Sequence, residues 1–575
     1  MNETTPLAEA AAAWDRQGAE VVVFGIVPWS PRWQRPHHLA VQLVRRGHRV
    51  VYLTPHLLVD RAGWREVPDV ARPDGVVLAQ LATDTLDSVH RSGGWSHDDL
   101  AHAHHQFWQL LRQLRLRCPI LLVQSPNWWP LIRWIRERSE LPLVYDCLDE
   151  HTGWDPEIAE RARAWEGELA AEADLVLVSA RRLHERLRQR NPRAVLVPNG
   201  CDVERFEPCT TPSGVLRRVL DGPIVGYYGA VSPAWVDASL LAAVAELRPD
   251  WNVVVIGPCD PFSAATLDRC PNVLRLDEIP YAELPRYCAD FHVAVVPFLV
   301  NELTGATDPV KVYEYFAAGK PVVATPMPEL YRWQGLLTVA ETAGDFVAAI
   351  DRYLRSPGDL AARQAVAREA SWSGRVDRFH QAMLACLPSL AVVVVAGGRD
   401  PAPTVASVEH DPSYQATVAV VDDATQALAE ALAQGGDAGG YVLVLPAGVV
   451  VPPGGLLAFA GALARTPGVA AVLGQLAGTD RDGSLRELAW SRFGDPAGTP
   501  ARPGDAPVVV RRRDLAAAGT AASPGRSLVD ALDALGRPVV TLPELLVAPA
   551  PVEPPDGLEP ALRLALARRS RAGSR

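Results

Sequence analysis

Lysine is nearly missing from this sequence of 575 residues, in which Lys311 and Lys320 are the only two. Lysine and arginine together number 56, so every other basic side chain is arginine. A surface lysine is easily replaced in such a chain, but arginine cannot supply a compact point charge. We therefore expect a specific role for at least one of these lysines; the alternative is that both survive by chance.

The eight cysteines include no CxxC pair and no metal-ligand spacing, which indicates free thiols and predicts no bound metal. No stretch reaches the ~18 apolar residues of a membrane span, because Pro388 and Ser389 interrupt the longest candidate. The first residues lack the basic start and apolar core of a signal peptide, so we expect a cytoplasmic protein. A net charge of −11 argues against nucleic acid as the main partner.

What the sequence does contain is a long alternation of apolar strands and amphipathic helices, typical of doubly wound parallel sheets. After an N-terminal tail at 1–20, the alternation runs from 21 to 204. It restarts with the strand "GPIVGYYGA", which lies in a second predicted domain at 205–388. The predicted fold class is α/β, with two facing Rossmann-like domains and a ligand cleft where their strand ends converge.

The composition changes near residue 388, because all eight cysteines and all tryptophans except Trp490 precede that point. Apolar strands such as "GYVLVLPAG" continue beyond it. We therefore predict a third, smaller α/β domain at 389–552 and a basic C-terminal tail at 553–575.

The two lysines flank a predicted helix, "VKVYEYFAA", which follows a buried strand and a polar loop. Asp308 is the expected N-cap and Pro309 the first helical residue. Lys311 then lies in the first turn, where a cation is unfavourable unless an anion is also present. Glu314 lies on the same face of the helix. The helix start therefore suits a nucleoside diphosphate, whose phosphates would contact the lysine and whose ribose hydroxyls would contact the carboxylate. The alternative is an ordinary Lys311–Glu314 surface pair.

The segment "TDPVKVYEYFAAGKPVVATP" resembles the donor-site helix of retaining GT-B glycosyltransferases of family 4, in the branch similar to teichuronic-acid biosynthesis enzymes. Other similar motifs, among them "LVYDCLDEHTGW" and "VPNGCDVERF", follow in the same order over about residues 20 to 387. The resemblance implies that Glu314 binds the donor ribose, Lys311 the diphosphate, and Gly229 the phosphates through its backbone. We assign Lys320 no ligand and expect a structural role for it.

The resemblance also implies that the loop 301–307 faces the donor sugar. The family's first glutamate falls on Ala306 in this chain, which is a departure from the pattern. Its replacement must come from this loop, or the sugar contact differs. The candidates from the loop are Asn301, Glu302, Thr304 and Thr307.

In the first domain, Arg35 follows a tryptophan-rich loop, and its planar fork could reach the diphosphate from across the cleft. The alternative is a solvated arginine. Asp149 and His151 follow a strand that faces the cleft and are candidate catalytic residues that orient the acceptor hydroxyl or the leaving group. Alternatively, they are a helix-capping carboxylate and a solvent-exposed histidine.

The implied activity is metal-independent transfer of a sugar, with retention, from a nucleoside-diphosphate donor to a glycan, lipid-linked or small-molecule acceptor. The pathway implied is cell-envelope polysaccharide synthesis. No cofactor is expected beside the nucleotide-sugar co-substrate. A non-catalytic scaffold, favoured by Ala306, and a nucleotide-sugar epimerase or hydrolase are the alternatives.

The third domain resembles, more weakly, a family 2 GT-A glycosyltransferase, with Asp422 and Asp423 at the nucleotide base. The acidic metal-binding motif should follow "YVLVL", but Pro446, Ala447 and Gly448 stand there, so we expect a non-catalytic domain.

Two predicted helices of the first domain, "FWQLLRQLRLR" and "LIRWIRERSE", carry arginine on one side and apolar residues on the other. Such helices could bring the protein to anionic lipid at the inner face of the membrane. The alternative is that their polar sides are ordinary solvated faces.

Overall fold

The computed structural model divides into two compact units, of which the first is 1–137 with 142–386 and the second 138–141 with 387–575. Within these units the structure describes the following residues: 20–29, 32–60, 63–67, 75–91, 94–114, 116, 119–137, 139, 141–151, 156–386, 390–395, 398, 400–409, 416–421, 441–446, 456, 471–479, 485–487, 508–511 and 539–547.

The first domain is built on a sheet of eight described strands in the order β10-β9-β8-β7-β1-β2-β5-β4. All neighbours are parallel except β4 and β5. The strand order reverses between β1 and β7, which is where ligands bind in such sheets. The strands of this domain are β1 (Glu20–Phe24), β2 (Arg49–Leu53), β3 (Leu58–Val59), β4 (Arg65–Glu66), β5 (Val76–Gln80), β6 (Ala82–Thr83), β7 (Ile120–Val123), β8 (Leu143–Cys147), β9 (Leu175–Val178) and β10 (Ala194–Leu196).

Helices cover this sheet, and their apolar sides pack into the core because the strands between them are almost wholly apolar. The described helices are α1 (Arg35–Arg45), α2 (His97–Gln113), α3 (Trp129–Arg136), α4 (Pro156–Glu172) and α5 (Arg181–Arg188), with a 3₁₀ turn at Pro126–Trp128. Leu110 and Leu111 of α2 are buried, as are Leu131, Ile132 and Ile135 of α3. These two helices were the candidates for lipid contact, and the side chains expected to meet lipid instead lie in the core.

The second domain repeats the design with six parallel strands in the order β13-β12-β11-β14-β15-β16. Here the order reverses between β11 and β14. Its strands are β11 (Ile224–Tyr228), β12 (Asn252–Ile256), β13 (Val273–Leu276), β14 (Val293–Val296), β15 (Val322–Ala324) and β16 (Thr338–Val339). Both reversals match the Rossmann pattern that the apolar strands predicted.

The helices of the second domain alternate with these strands, and the last of them returns to the first domain. They are α6 (Val203–Phe206), α7 (Ala238–Leu247), α8 (Pro261–Leu267), α9 (Leu284–Asp290), α10 (Glu302–Gly305), α11 (Val310–Ala317), α12 (Ala343–Arg355), α13 (Leu360–Glu369) and α14 (Trp372–Cys386), with 3₁₀ turns at Glu207–Thr210 and Pro328–Trp333. Arg46 of the first domain donates to the carbonyl of Ser373 on α14 at 2.6 Å and pairs with Asp377 at 2.7 Å.

The second unit contains a mixed sheet of seven described strands. They are β17 (Leu390–Val395), β18 (Thr417–Val421), β19 (Tyr441–Pro446), β20 (Ala471–Thr479), β21 (Leu485–Glu487), β22 (Val508–Arg511) and β23 (Val539–Val547), and helix α15 is Ala402–Glu409. The strands expected from the sequence are therefore present. Asp422, Asp423, Ala447 and Gly448 lie outside the described residues, so the GT-A-like character of this unit remains a prediction.

Of the helices that the structure describes, none is both long enough and apolar enough to cross a bilayer.

Candidate donor and acceptor site

A cavity of about 380 Å³ lies between the two Rossmann-like domains, where the carboxyl ends of their central strands meet. That volume is in the range of small-molecule sites. Trp33 and Asp149 line it from the first domain, and Gly229, Lys311 and Glu314 line it from the second. Arg35 and Thr307 line it as well, so six of the predicted site residues are brought together from distant parts of the chain.

The start of helix α11 differs in one detail from the expectation. Pro309 is the N-cap, and the helix begins at Val310. Asp308 does not cap it, because its carboxylate accepts hydrogen bonds from the backbone N–H of Asn199 at 2.8 Å and from the hydroxyl of Tyr313 at 2.7 Å. It also pairs with Arg332. Asp308 therefore fixes the helix to the link between the domains.

Lys311 lies in the first turn of α11, half-buried, with its ammonium group 4.3 Å from the ring centre of Phe298 and 5.0 Å from that of Tyr227. No described residue accepts a hydrogen bond from it. Burial lowers the pKa of Lys311 to about 8, against the opposing attraction of Glu314 and Asp149. The site therefore holds a cation that forms no salt bridge with any of the residues that the structure describes.

Glu314 follows on the same helix, but it is only 4% exposed, so the two residues are not a surface pair. Its carboxylate accepts hydrogen bonds from the hydroxyls of Tyr228 at 2.8 Å and Tyr281 at 3.0 Å, one on each oxygen. Burial raises the pKa of Glu314 to about 6, and both phenols oppose that rise. Each oxygen retains a second lone pair that can accept a ligand hydroxyl.

Gly229 directly follows strand β11 and lies beside the lysine, with a φ of +132° that only glycine adopts readily. A Cβ at this position would stand 3.3 Å from Nζ of Lys311 and 3.1 Å from the hydroxyl of Tyr227. The missing side chain therefore leaves room for a ligand next to the ammonium group.

The loop 301–307 is only partly directed to the cavity. Asn301 and Thr304 form a capping box on α10, and the side-chain amide of Asn301 donates to the carbonyl of Ala234 at 3.0 Å. Neither residue is among the described lining residues of the cavity, so the expectation that they face the donor sugar is not met in this structure. Ala306 is fully buried at the end of α10.

Thr307 does line the cavity, and its hydroxyl donates to the carboxylate of Asp149 at 3.2 Å across the two domains. Burial raises the pKa of Asp149 to about 7, although the hydrogen bond from Thr307 and the charge of Arg35 oppose the rise. Asp149 is half-buried and caps no described helix. It therefore places a carboxylate in the cleft close to the loop where the family's first glutamate is missing.

Arg35 is the first residue of α1 and is buried, so the alternative of a solvated side chain is wrong. Its guanidinium pairs with Asp146 at 2.7 Å and donates to the carbonyl of Val197 at 2.8 Å. These contacts occupy the fork that was expected to bind phosphate. Arg35 borders the cavity, but in this structure it ties α1 to β8 and to the end of β10.

His151 lies only two residues after Asp149, but it is 3% exposed and is not among the described lining residues of the cavity. Both expectations for it, a cleft residue and a solvent-exposed one, are therefore wrong. Its Nε2 lies 3.2 Å from the hydroxyl of Tyr145 and 3.7 Å from Glu166. Burial lowers its pKa, so the imidazole is neutral near pH 7.

His151, Cys147 and Glu166 form the one group in the described part of the chain whose side-chain atoms could together hold a metal ion. The spacing of these residues along the chain does not predict a metal site, because Cys147 ends β8, His151 lies on the loop after it and Glu166 lies on helix α4. These three residues lie outside the donor cavity.

Several residues that shape the cavity were not identified from the sequence. Tyr281 stacks on Trp33 across the cleft, with ring centres 5.8 Å apart and planes inclined at 13°. Arg32 pairs with Glu278 at 2.8 Å beside this stack. Of the cavity residues that were not identified from the sequence, only Tyr228 could have been, since it directly precedes Gly229 at the end of a predicted strand.

Lys320 is buried behind the site, and its ammonium donates to the carbonyl of Ala289 at 2.6 Å. This position fits the structural role expected for Lys320, which stays a prediction. Burial lowers the pKa of Lys320 as well.

Comparison with known proteins agrees with this architecture. Residues 32–200 match the family described as "Glycosyl transferase 4-like domain", and residues 222–356 match "Glycosyl transferases group 1". The two Rossmann-like domains are thus each similar to a glycosyltransferase domain, the first to the 4-like type and the second to the group 1 type.

Among curated proteins, the chain is 26% identical over 257 residues to TuaH of Bacillus subtilis (strain 168), named as a teichuronic acid biosynthesis glycosyltransferase. The match covers 40% of this chain and 64% of that relative's length. Sucrose-phosphate synthase from Thermosynechococcus elongatus shares the fold with a TM-score of 0.50 at 17% identity, covering 63% of this chain and 98% of that one. Anabaena HepE in complex with UDP and glucose has a TM-score of 0.47 at 16% identity over the same shares.

Proposed function

We propose that this protein is a glycosyltransferase that binds a nucleoside-diphosphate sugar in the cavity between its first two domains. The observation that carries the proposal is Lys311, a half-buried cation that faces the cavity and for which no described residue supplies a hydrogen-bond acceptor. A desolvated ammonium is stabilised by a paired anion, and a diphosphate supplies one. The matches to glycosyltransferase families support this assignment.

The donor is oriented by two further residues. The phosphates lie against the backbone at Gly229, where the absence of a side chain allows close approach. The ribose hydroxyls donate to the carboxylate of Glu314, which Tyr228 and Tyr281 hold in place. Lys311 then meets the diphosphate and stabilises the negative charge that develops as the sugar leaves.

The reaction proceeds with retention of configuration. A bond forms between the acceptor oxygen and the anomeric carbon, while the bond from that carbon to the diphosphate oxygen breaks. The proton of the acceptor hydroxyl passes to the departing phosphate on the same face of the sugar. The protein contributes positioning and charge stabilisation, with the lysine in place of a metal ion.

Asp149, with Thr307, orients the sugar or the acceptor hydroxyl. Its carboxylate lies in the cleft next to the loop in which Ala306 replaces the family's first glutamate. The carboxylate of Asp149 in the first domain thus takes the place of the glutamate that the family has at the position of Ala306 in the second domain.

The acceptor is a glycan, a lipid-linked glycan or a small molecule, and the relative named for teichuronic acid synthesis favours cell-envelope polysaccharide. The protein acts in the cytoplasm, where the six described free cysteines stay reduced. The domain at 389–552 is a non-catalytic GT-A-like domain.

Calorimetric titration with UDP and GDP, with and without added magnesium, tests the donor site. Binding is expected without magnesium and should weaken at least about tenfold in Lys311→Ala, since a hydrogen bond to a charged group contributes about 1.5–3 kcal/mol. Strictly magnesium-dependent binding would contradict the proposal.

A non-catalytic scaffold remains the second candidate, because Ala306 removes a carboxylate that the family uses. Release of nucleoside diphosphate from a panel of nucleotide sugars, with and without glycan acceptors, separates the candidates. Acceptor-dependent release is expected of a transferase. Release without an acceptor indicates a hydrolase, and donor binding without turnover on any acceptor indicates a scaffold.

A further inference from the structure

The buried cluster behind the cleft is formed by Cys147 at the end of β8, His151 on the following loop and Glu166 on helix α4. Their ligand atoms all lie within 4.8 Å of one another. The Sγ of Cys147 is 3.3 Å from Oε1 of Glu166, and Nε2 of His151 is 3.7 Å from the same oxygen. All three side chains are buried, so their mutual arrangement is fixed by packing rather than by solvent.

A fourth polar atom lies in the same place. The hydroxyl of Tyr145 is 2.8 Å from Oε1 of Glu166 and 3.2 Å from Nε2 of His151. The cluster thus presents one sulfur, one imidazole nitrogen and two oxygens around a common point. Thiolate, imidazole and carboxylate are the ligands that zinc binds in tetrahedral sites, whereas magnesium and calcium avoid sulfur.

The charges around the cluster are not balanced by the described residues. The buried carboxylates of Glu150 and Glu166 share one guanidinium, that of Arg186. Two buried carboxylates thus depend on one guanidinium that is itself partly exposed, and a divalent cation at the cluster would stabilise them further.

We propose that Cys147, His151 and Glu166 bind one zinc ion, with the hydroxyl of Tyr145 in the fourth position. The site is structural, since the cluster residues do not line the donor cavity. It joins the end of β8 to helix α4 across the loop 148–151, and that loop carries Asp149. The ion thereby fixes the loop that presents Asp149 to the cleft.

Metal analysis of the full-length protein tests this proposal independently of donor binding. Protein purified without chelators and dialysed with zinc should retain about one zinc per chain. Cys147→Ser should lose it, whereas Cys270→Ser, which alters a buried thiol in the second domain, should keep it. Wild type without bound zinc, or Cys147→Ser with undiminished zinc, overturns the proposal.

Cobalt substitution of the wild-type protein covers the case in which Cys147→Ser fails to fold. Cobalt bound by Cys147 must show a thiolate-to-cobalt charge-transfer band that added zinc abolishes. Cobalt that binds without this band, or does not bind at all, overturns the proposal. Neither result depends on whether the cavity binds a nucleotide sugar.

Discussion

The ammonium group of Lys311 lies 3.3 Å from the point where a Cβ on Gly229 would stand. Lys311 lies in the first turn of α11, and Gly229 is the residue directly after β11. The pair therefore defines a narrow space, left open by the missing side chain of Gly229, next to a half-buried cation.

Adding a methyl group there should weaken nucleotide binding. Gly229→Ala forces alanine into a φ of +132° and crowds Lys311. We expect a loss of at least about tenfold in affinity for UDP or GDP, equivalent to about 1.4 kcal/mol, because the added methyl group takes the space next to the ammonium group that a phosphate would fill. Gly335→Ala is the matched control, because Gly335 also has a positive φ but its Cβ would meet nothing within 4 Å. Equal affinity in both variants would show that the space beside Lys311 is not used.

Much of this site could be predicted from the sequence, because the relevant residues lie at strand ends or helix starts. The positions of Lys311, Glu314 and Gly229 follow from the apolar strand before each of them. What the sequence could not show are contacts between distant segments. Arg35 pairs with Asp146, which is 111 residues away, and this pairing occupies the guanidinium of Arg35.

The sequence also does not predict in which direction a side chain points when it follows a strand. Asp149 and His151 lie two residues apart in one loop, yet Asp149 lines the cleft while His151 packs against Glu166. Packing of helix α4 makes this difference, and no local pattern reports it. The N-cap at Pro309 was missed for a related reason, because Asp308 is held by Asn199 and Arg332 instead.

Nucleotide binding should be strongest between about pH 6 and pH 8, the pKa values of Glu314 and Lys311. Below that range Glu314 gains a proton and loses its ability to accept both ribose hydroxyls. Above it Lys311 loses the proton that gives it charge, although the carboxylates of Glu314 and Asp149 both favour the charged form. Affinity should fall about tenfold for each pH unit on the alkaline side.

Calorimetry across this range measures the profile. In Lys311→Arg the alkaline fall should disappear, because the guanidinium stays protonated. A wild-type affinity that is constant from neutral to alkaline pH would rule out Lys311 as the phosphate-binding cation.

Asp149→Asn should reduce turnover while leaving the donor affinity nearly unchanged. Asn keeps the size of the side chain but removes the negative charge that Thr307 faces. We expect kcat to fall about 100-fold, the low end for a residue that positions or assists the reacting hydroxyl. Steady-state transfer kinetics together with UDP titration make the test. A change confined to UDP affinity would assign Asp149 to donor binding instead.

Lys320→Arg should affect folding rather than catalysis. Lys320 is buried and donates to Ala289, so the larger guanidinium overpacks its pocket. The free energy of unfolding should fall by about 1–3 kcal/mol, with kcat/KM of the folded protein unchanged. Chemical denaturation and transfer kinetics on the same preparation separate the two effects. Lost activity in a fully folded variant would place Lys320 in the functional site.

The kinetics of Lys311→Arg test the central claim most directly, because this change keeps the charge and alters only its shape. The wider planar head cannot occupy the space between Phe298 and Gly229. The account predicts a fall in kcat/KM of about tenfold or more, equivalent to about 1.5–3 kcal/mol of lost transition-state stabilisation, with an unchanged melting temperature. A folded Lys311→Arg variant with wild-type kcat/KM would contradict it.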